Sequence, residues 1–148
     1  MSPDGQLDVF INRYSPEIRA LAEACLGKLR ARLPGAVEIV YDNYNALVIG
    51  FGPTERPSDA TFSIALYPRW VNLFFLKGVD LPDPRKLLKG SGTVVRHIVL
   101  EDAATLDAPA VQALIARALE RSASPFDRSS PRRILIKSIS AKQRPRRP

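Results

Sequence analysis

The sequence predicts an α+β domain: a two-layer sandwich whose five-stranded antiparallel meander is covered on one face by N- and C-terminal helices. Three observations predict it. Apolar residues recur at helical spacing up to Leu29 and again from Val111 to Leu119. Between them, over residues 37–100, the apolar period shortens to two. Turn residues cut that middle into five short runs, and connections this short favour an antiparallel meander.

Ser15-Pro16-Glu17 reads as a helix start, with a hydroxyl cap, a proline at the first helical position and an acid in the first turn. Ile18, Leu21, Ala22, Cys25, Leu26 and Leu29 then share one stripe, and Leu33-Pro34-Gly35 ends the helix. Residues 7–14 are expected to be helical too, joined through a kink at Ser15-Pro16, because Leu7, Phe10 and Ile11 share a face.

Residues 37–41 and 46–51 read as two strands joined by the turn Asp42-Asn43-Tyr44-Asn45. Residues 61–66 and 70–76 form the next hairpin around Tyr67-Pro68-Arg69, and residues 93–100 the fifth strand. In the second and third strands the larger residues alternate with small ones, so Leu47, Ile49, Phe51, Phe62, Ile64 and Leu66 are expected to face the helices. The fourth strand is apolar on both faces, which predicts that water adjoins neither. Asp107 is expected to cap a last helix carrying Val111, Leu114, Ile115, Ala118 and Leu119 on one stripe.

The sequence divides into a domain over residues 1–121 and a Pro/Arg-rich basic tail over 122–148. Within that tail, residues 134–139 look like a strand that adds to a sheet edge, of its own subunit or a neighbour's. The net charge of +7 resides in the tail, since residues 1–121 carry 14 basic and 14 acidic side chains. Nucleic-acid binding is therefore expected to be weak and confined to Lys142, Arg144, Arg146 and Arg147. A single cysteine, Cys25, forms no intrachain disulfide, and no charged-then-apolar signal region follows Met1, so a cytoplasmic protein without a membrane partner is expected.

Lys89-Gly90-Ser91-Gly92 running into a β-branched strand with His97, together with Leu33-Pro34-Gly35 and Tyr41-Asp42-Asn43-Tyr44, resembles the YdhG-like family of small bacterial domains of unknown function. The resemblance covers residues 7–121 and implies a frataxin-like arrangement of helix, five strands and helix. It also implies an iron-handling alternative. Frataxins resemble one another in an acidic ridge on the first helix and strand, whereas here Asp4, Asp8, Glu17 and Glu23 are interleaved with arginines and lysines, leaving Glu38 and Asp42 as the acids for that role.

Chemistry-bearing residues are sparse. His97 lacks a second histidine or a matched acid or cysteine at ligand spacing, and its neighbour Arg96 is expected on the opposite face of the strand. Lys89-Gly90-Ser91-Gly92 is a candidate anion turn, against the plainer reading of a short helix over 84–89 stopped by a left-handed glycine. Cys25, on the apolar stripe, is expected to be buried and inert. With no nucleophile elbow, nucleotide loop or metal spacing, catalysis and a bound cofactor are not expected. The leading expectation is a binding or interaction module, for a small ligand, a protein partner or a second copy. It would use the helix-free face of the sheet, where Tyr41, Tyr44, Tyr67, Trp70, Arg96 and His97 are the candidate residues.

Overall fold

The computed structural model describes all 148 residues. Two Ser-Pro steps set the first helices. Ser2 caps α1 (Pro3–Asn12) by accepting from the Gly5 amide, and Ser15 caps α2 (Pro16–Arg32) by accepting from the Ile18 amide. Ser15 itself is extended, so the two helices are separate rather than one kinked rod. Leu33 ends α2, and Gly35, at φ +81°, turns the chain into β1 (Val37–Asp42). A Cβ at Gly35 would sit 1.8 Å from the Asp127 carbonyl oxygen, so only glycine lets the returning chain pass there.

The strands β2 (Leu47–Gly52), β3 (Phe62–Leu66), β4 (Val71–Phe75) and β5 (Arg96–Val99) continue from β1 as an antiparallel meander. After α3 (Pro109–Glu120) the chain crosses the sheet end and enters β6 (Arg133–Ile139), which pairs with β1 in parallel. The sheet is therefore six-stranded and mixed, in the order β5-β4-β3-β2-β1-β6. The direction of β6 follows from its approach: it starts opposite Val37, where β1 also starts. A bulge at Lys137 keeps Ser138 opposite Tyr41.

All three helices lie on one face. Their buried residues join Leu47, Ile49, Phe51, Phe62, Ile64, Leu66, Val71, Leu73, Phe75 and Ile98 in one cluster of 29. The buried apolar residues outside it are Ala46, at the β1–β2 turn, and Val37, Ile39 and Ala65, which share the other face by register. Tyr14, fully buried between α1 and α2, ties the helices to the sheet: its hydroxyl donates to the Leu66 carbonyl at 2.9 Å and accepts from the Leu47 amide at 3.1 Å. Burial pushes its pKa up to about 12. Cys25 is also fully buried, and burial raises its thiol to about 11.

Local chemistry overrides three expectations. Residues 84–89 form no helix, because the Asp83 carboxylate captures the amides of Leu87 and Leu88 at 2.9 Å each and Lys86 adopts φ 53°. Asp107 does not cap α3. It ends a 3₁₀ turn over Ala103–Asp107, and its carboxylate accepts from Lys28 at 2.7 Å, so α3 starts at Pro109 after Ala108. The second face of β4 does meet water, since Trp70 just before it is 45 % exposed and Phe74 is half-buried. No helix is long and apolar enough to cross a membrane.

Candidate ligand face and turn-end hollow

Pairing register builds the helix-free face row by row. One row runs Leu135, Ile39, Gly50, Ser63, Phe74, His97, and the next runs Ser138, Tyr41, Val48, Ala65, Asn72, Val99. The floor is small where the middle strands meet, at Gly50, Ser63 and Ala65, and larger side chains stand around it. Tyr41 rises on one side, and Phe74 and His97 meet at 5.4 Å on the other. At the β3–β4 turn Tyr67 stacks on Trp70 at 5.2 Å. Asn72, 7 % exposed, adjoins this floor, and its side-chain carbonyl has no hydrogen-bond partner. An unpaired buried polar atom is costly, and it is the kind of group a ligand satisfies. The sequence reading passed over Asn72; its signal was a lone amide amid the apolar residues of strand four.

Burial raises the hydroxyl pKa of Tyr41 and of Tyr67. Burial, and then the Lys89 ammonium, lower that of His97. All three rings are therefore neutral near pH 7.

Arg96 does not belong to this face. It pairs with Phe75 in register and so lies on the helix side, with its guanidinium donating to the carbonyls of Gly92 and Val95. Tyr44 sits beyond the sheet, exposed on the β1–β2 turn. The candidate anion turn folds back along β5: Lys89 and His97 exchange both backbone hydrogen bonds, Gly90 takes φ +122°, and the Gly92 carbonyl is engaged by Arg96.

The two candidate metal-binding acids have other partners. Glu38, fully buried, receives Arg30 through two bonds of 2.9 Å and Arg132 at 3.1 Å. Asp42, 1 % exposed, receives Arg13 at 3.3 Å and Arg146 at 2.9 Å. In each pair one arginine comes from α2 or the turn before it, and the other from the C-terminal segment. A cation at either acid would have to displace guanidiniums. No cluster of three or more His, Cys, Asp or Glu side chains occurs elsewhere.

These pairs also correct the picture of a free basic tail. Arg146, expected to touch phosphate, is 6 % exposed and clamped to Asp42, the Asn43 carbonyl and the Tyr44 carbonyl. The Arg144 amide donates to the Tyr44 carbonyl at 2.9 Å, and its guanidinium lies 5.8 Å from the Tyr44 ring centre. Arg147 reaches the Arg13 carbonyl, while Lys142 is exposed.

The C-terminal segment thereby completes a hollow of about 420 Å³ at the turn end of the sheet, lined by Asn45, Tyr67, Pro68, Arg69, Trp70 and Arg144. A smaller cavity near Ser122 and Leu81 encloses only about 20 Å³, room for about one water. Of the sequence candidates, the structure brings Tyr67, Trp70 and Arg144 together here with Tyr44 at the edge, places Tyr41 and His97 on the face, and leaves Arg96 and Arg146 outside. No family model, curated protein or solved structure matches the chain.

Proposed function

We propose that this protein is a non-catalytic binding module that uses the helix-free face of its sheet to hold a small ligand. The observation that carries the reading is the unpaired, buried Asn72 carbonyl beside a floor of Gly50, Ser63 and Ala65, on the face opposite the helices. Aromatic walls give such a floor affinity, and one polar atom gives it orientation. The lone reduced cysteine supports a cytoplasmic setting. A YdhG-like, frataxin-like relationship is part of the proposal, supported by one sheet with its helices on a single face.

The test uses anilinonaphthalene sulfonate, an aromatic probe, with the full chain, alongside native mass spectrometry of the gently purified protein. Saturable probe binding, or a retained small molecule, that is lost in V48K and F74K but kept in E23K, on the helix layer, supports the face. A chain that binds no probe, retains nothing and sediments as a dimer through this face would make it a subunit contact instead.

The iron-handling alternative would need Glu38 and Asp42, each already held by two guanidiniums, so no site-specific iron binding is expected. Ferrous and ferric titration of the native chain and of E38Q and D42N decides it: micromolar site-specific binding, lost in the variants, would favour iron over the ligand face.

A further inference from the structure

Three aromatic rings stand at the tips of two neighbouring hairpin turns, and two of them are largely in water: Tyr44 is 48 % and Trp70 45 % exposed. Tyr67 backs Trp70 at 25° between ring planes, which holds the indole as a rigid platform with its outer part free. Two guanidiniums, Arg69 and Arg144, line the same hollow, and no acidic residue does. The volume of about 420 Å³ lies within the roughly 300–1,000 Å³ of small-molecule sites.

The position of Arg144 is built rather than incidental. Its amide is fixed to the Tyr44 carbonyl, and two residues later Arg146 is buried against Asp42. The buried ion pair thus acts as an anchor, delivering an exposed guanidinium to the rim of an aromatic platform formed by residues more than 70 positions upstream.

We propose that this hollow binds a nucleobase carrying a phosphate, the base stacked on Trp70 and the phosphate between Arg69 and Arg144. A flat ring matches the platform, since base–aromatic stacking needs only a π-face. A phosphate monoester carries a charge of about −1.5 to −2 near pH 7, which two guanidiniums match and a single carboxylate would not. The Asn45 amide at the rim offers both a donor and an acceptor to a base edge. The inference rests on the binding-module reading, because Tyr67 and Trp70 are the end of the same face. Two sources present this chemistry: a free mononucleotide, and the phosphorylated end of a single strand.

Trp70 is the chain's single tryptophan, so its fluorescence reports on the hollow alone. The experiment titrates the full chain with AMP, adenosine, inorganic phosphate, and a short oligoribonucleotide with either a 5′-phosphate or a 5′-hydroxyl, with calorimetry in parallel. Saturable binding of AMP is expected, at least about tenfold tighter than adenosine or phosphate alone. R144Q and R69Q should each lose about tenfold for AMP and leave adenosine unchanged, whereas Y67A should weaken both. Binding of AMP without the oligonucleotides identifies the free nucleotide as the source, and preference for the 5′-phosphorylated strand identifies the strand end. Absence of saturable AMP binding, or equal AMP affinity in R144Q and R69Q with melting temperatures unchanged, overturns the inference. If anilinonaphthalene sulfonate still binds in a Val48-dependent way, the face reading survives that failure.

Discussion

Arg146 and Asp42 stand 104 positions apart in the chain and meet as a buried ion pair at 2.9 Å, the arginine 6 % and the aspartate 1 % exposed. The contact closes the C-terminal segment over the end of β1, and Arg132 closes the other end on Glu38. Two buried acids with two arginines each hold the sixth strand in place at both termini. Buried pairs contribute little relative to apolar packing, but breaking one strands a charge.

Removing either partner is therefore expected to leave the other charge buried without it. D42A and R146A should each destabilise the protein by about 3–5 kcal/mol, and the double variant by less than the sum. Urea denaturation of the four proteins of the cycle measures this; additive losses would mean the two side chains do not interact energetically.

Deleting residues 130–148 should expose the β1 edge and leave Glu38 without Arg132 and Asp42 without Arg146. The half-buried Ile134 and Ile136 would also leave the core. A lower melting temperature, with a shift toward dimers or aggregates in sedimentation, is the expected result. A truncated chain that keeps both its melting temperature and its mass would show that β6 contributes nothing.

Tyr14→Phe removes one hydroxyl and leaves two buried backbone groups, the Leu47 amide and the Leu66 carbonyl, without that partner. A loss of about 1–3 kcal/mol is expected with little change in fold. Spectrophotometric titration of the native protein should also find one tyrosine ionising near its raised value of about 12, absent in the variant.

Affinity for duplex DNA should be weak and strongly salt-dependent. With Arg146 buried, the tail offers Lys142, Arg144 and Arg147 to phosphate, so the log–log salt slope should be no steeper than about −2.7. Binding across a salt series, compared with a chain ending at Ser140, measures it; a steeper slope, or tight binding after the truncation, would place the interaction on the folded body.

His97 makes stability fall in mild acid. Burial, and then Lys89, hold its native pKa below the ordinary value, so the unfolded chain binds this proton more readily than the native one. The sign follows: its contribution is complete above about pH 6.5 and is lost as the pH drops from there toward the lowered native value. In H97Q the melting temperature should vary less across that window. An identical acid limb in native and variant proteins would assign the effect to other groups.

Local periodicity carried much of the architecture. The stripe from Ile18 to Leu29, the alternation in Leu47, Ile49 and Phe51, and the turn signals at Asn43 and Pro68 are properties of contiguous residues, so helix, strand and hairpin could be read before any fold was known. Strand-like character in residues 134–139 was equally local. What those residues would pair with, and in which direction, was not, because a parallel partner is set by the route of the chain after α3.

The first strand shows the limit most clearly. Its alternation sets Val37, Ile39 and Tyr41 against Glu38, Val40 and Asp42. The structure buries Glu38 and Asp42 on the helix side and sets Val37 and Ile39, with Tyr41, on the other. Four guanidiniums make that orientation affordable, and two of them arrive from 94 or more residues downstream. Contiguous residues marked the two principal helices, the hairpin strands and the concentration of positive charge after residue 121, but not the turn at Asp83 that replaces the helix expected over residues 84–89. Tertiary structure decided which acids are buried, which arginines neutralise them and which one is left free beside the aromatic turn, because ion pairing depends on distance in space and spacing along the chain does not encode it.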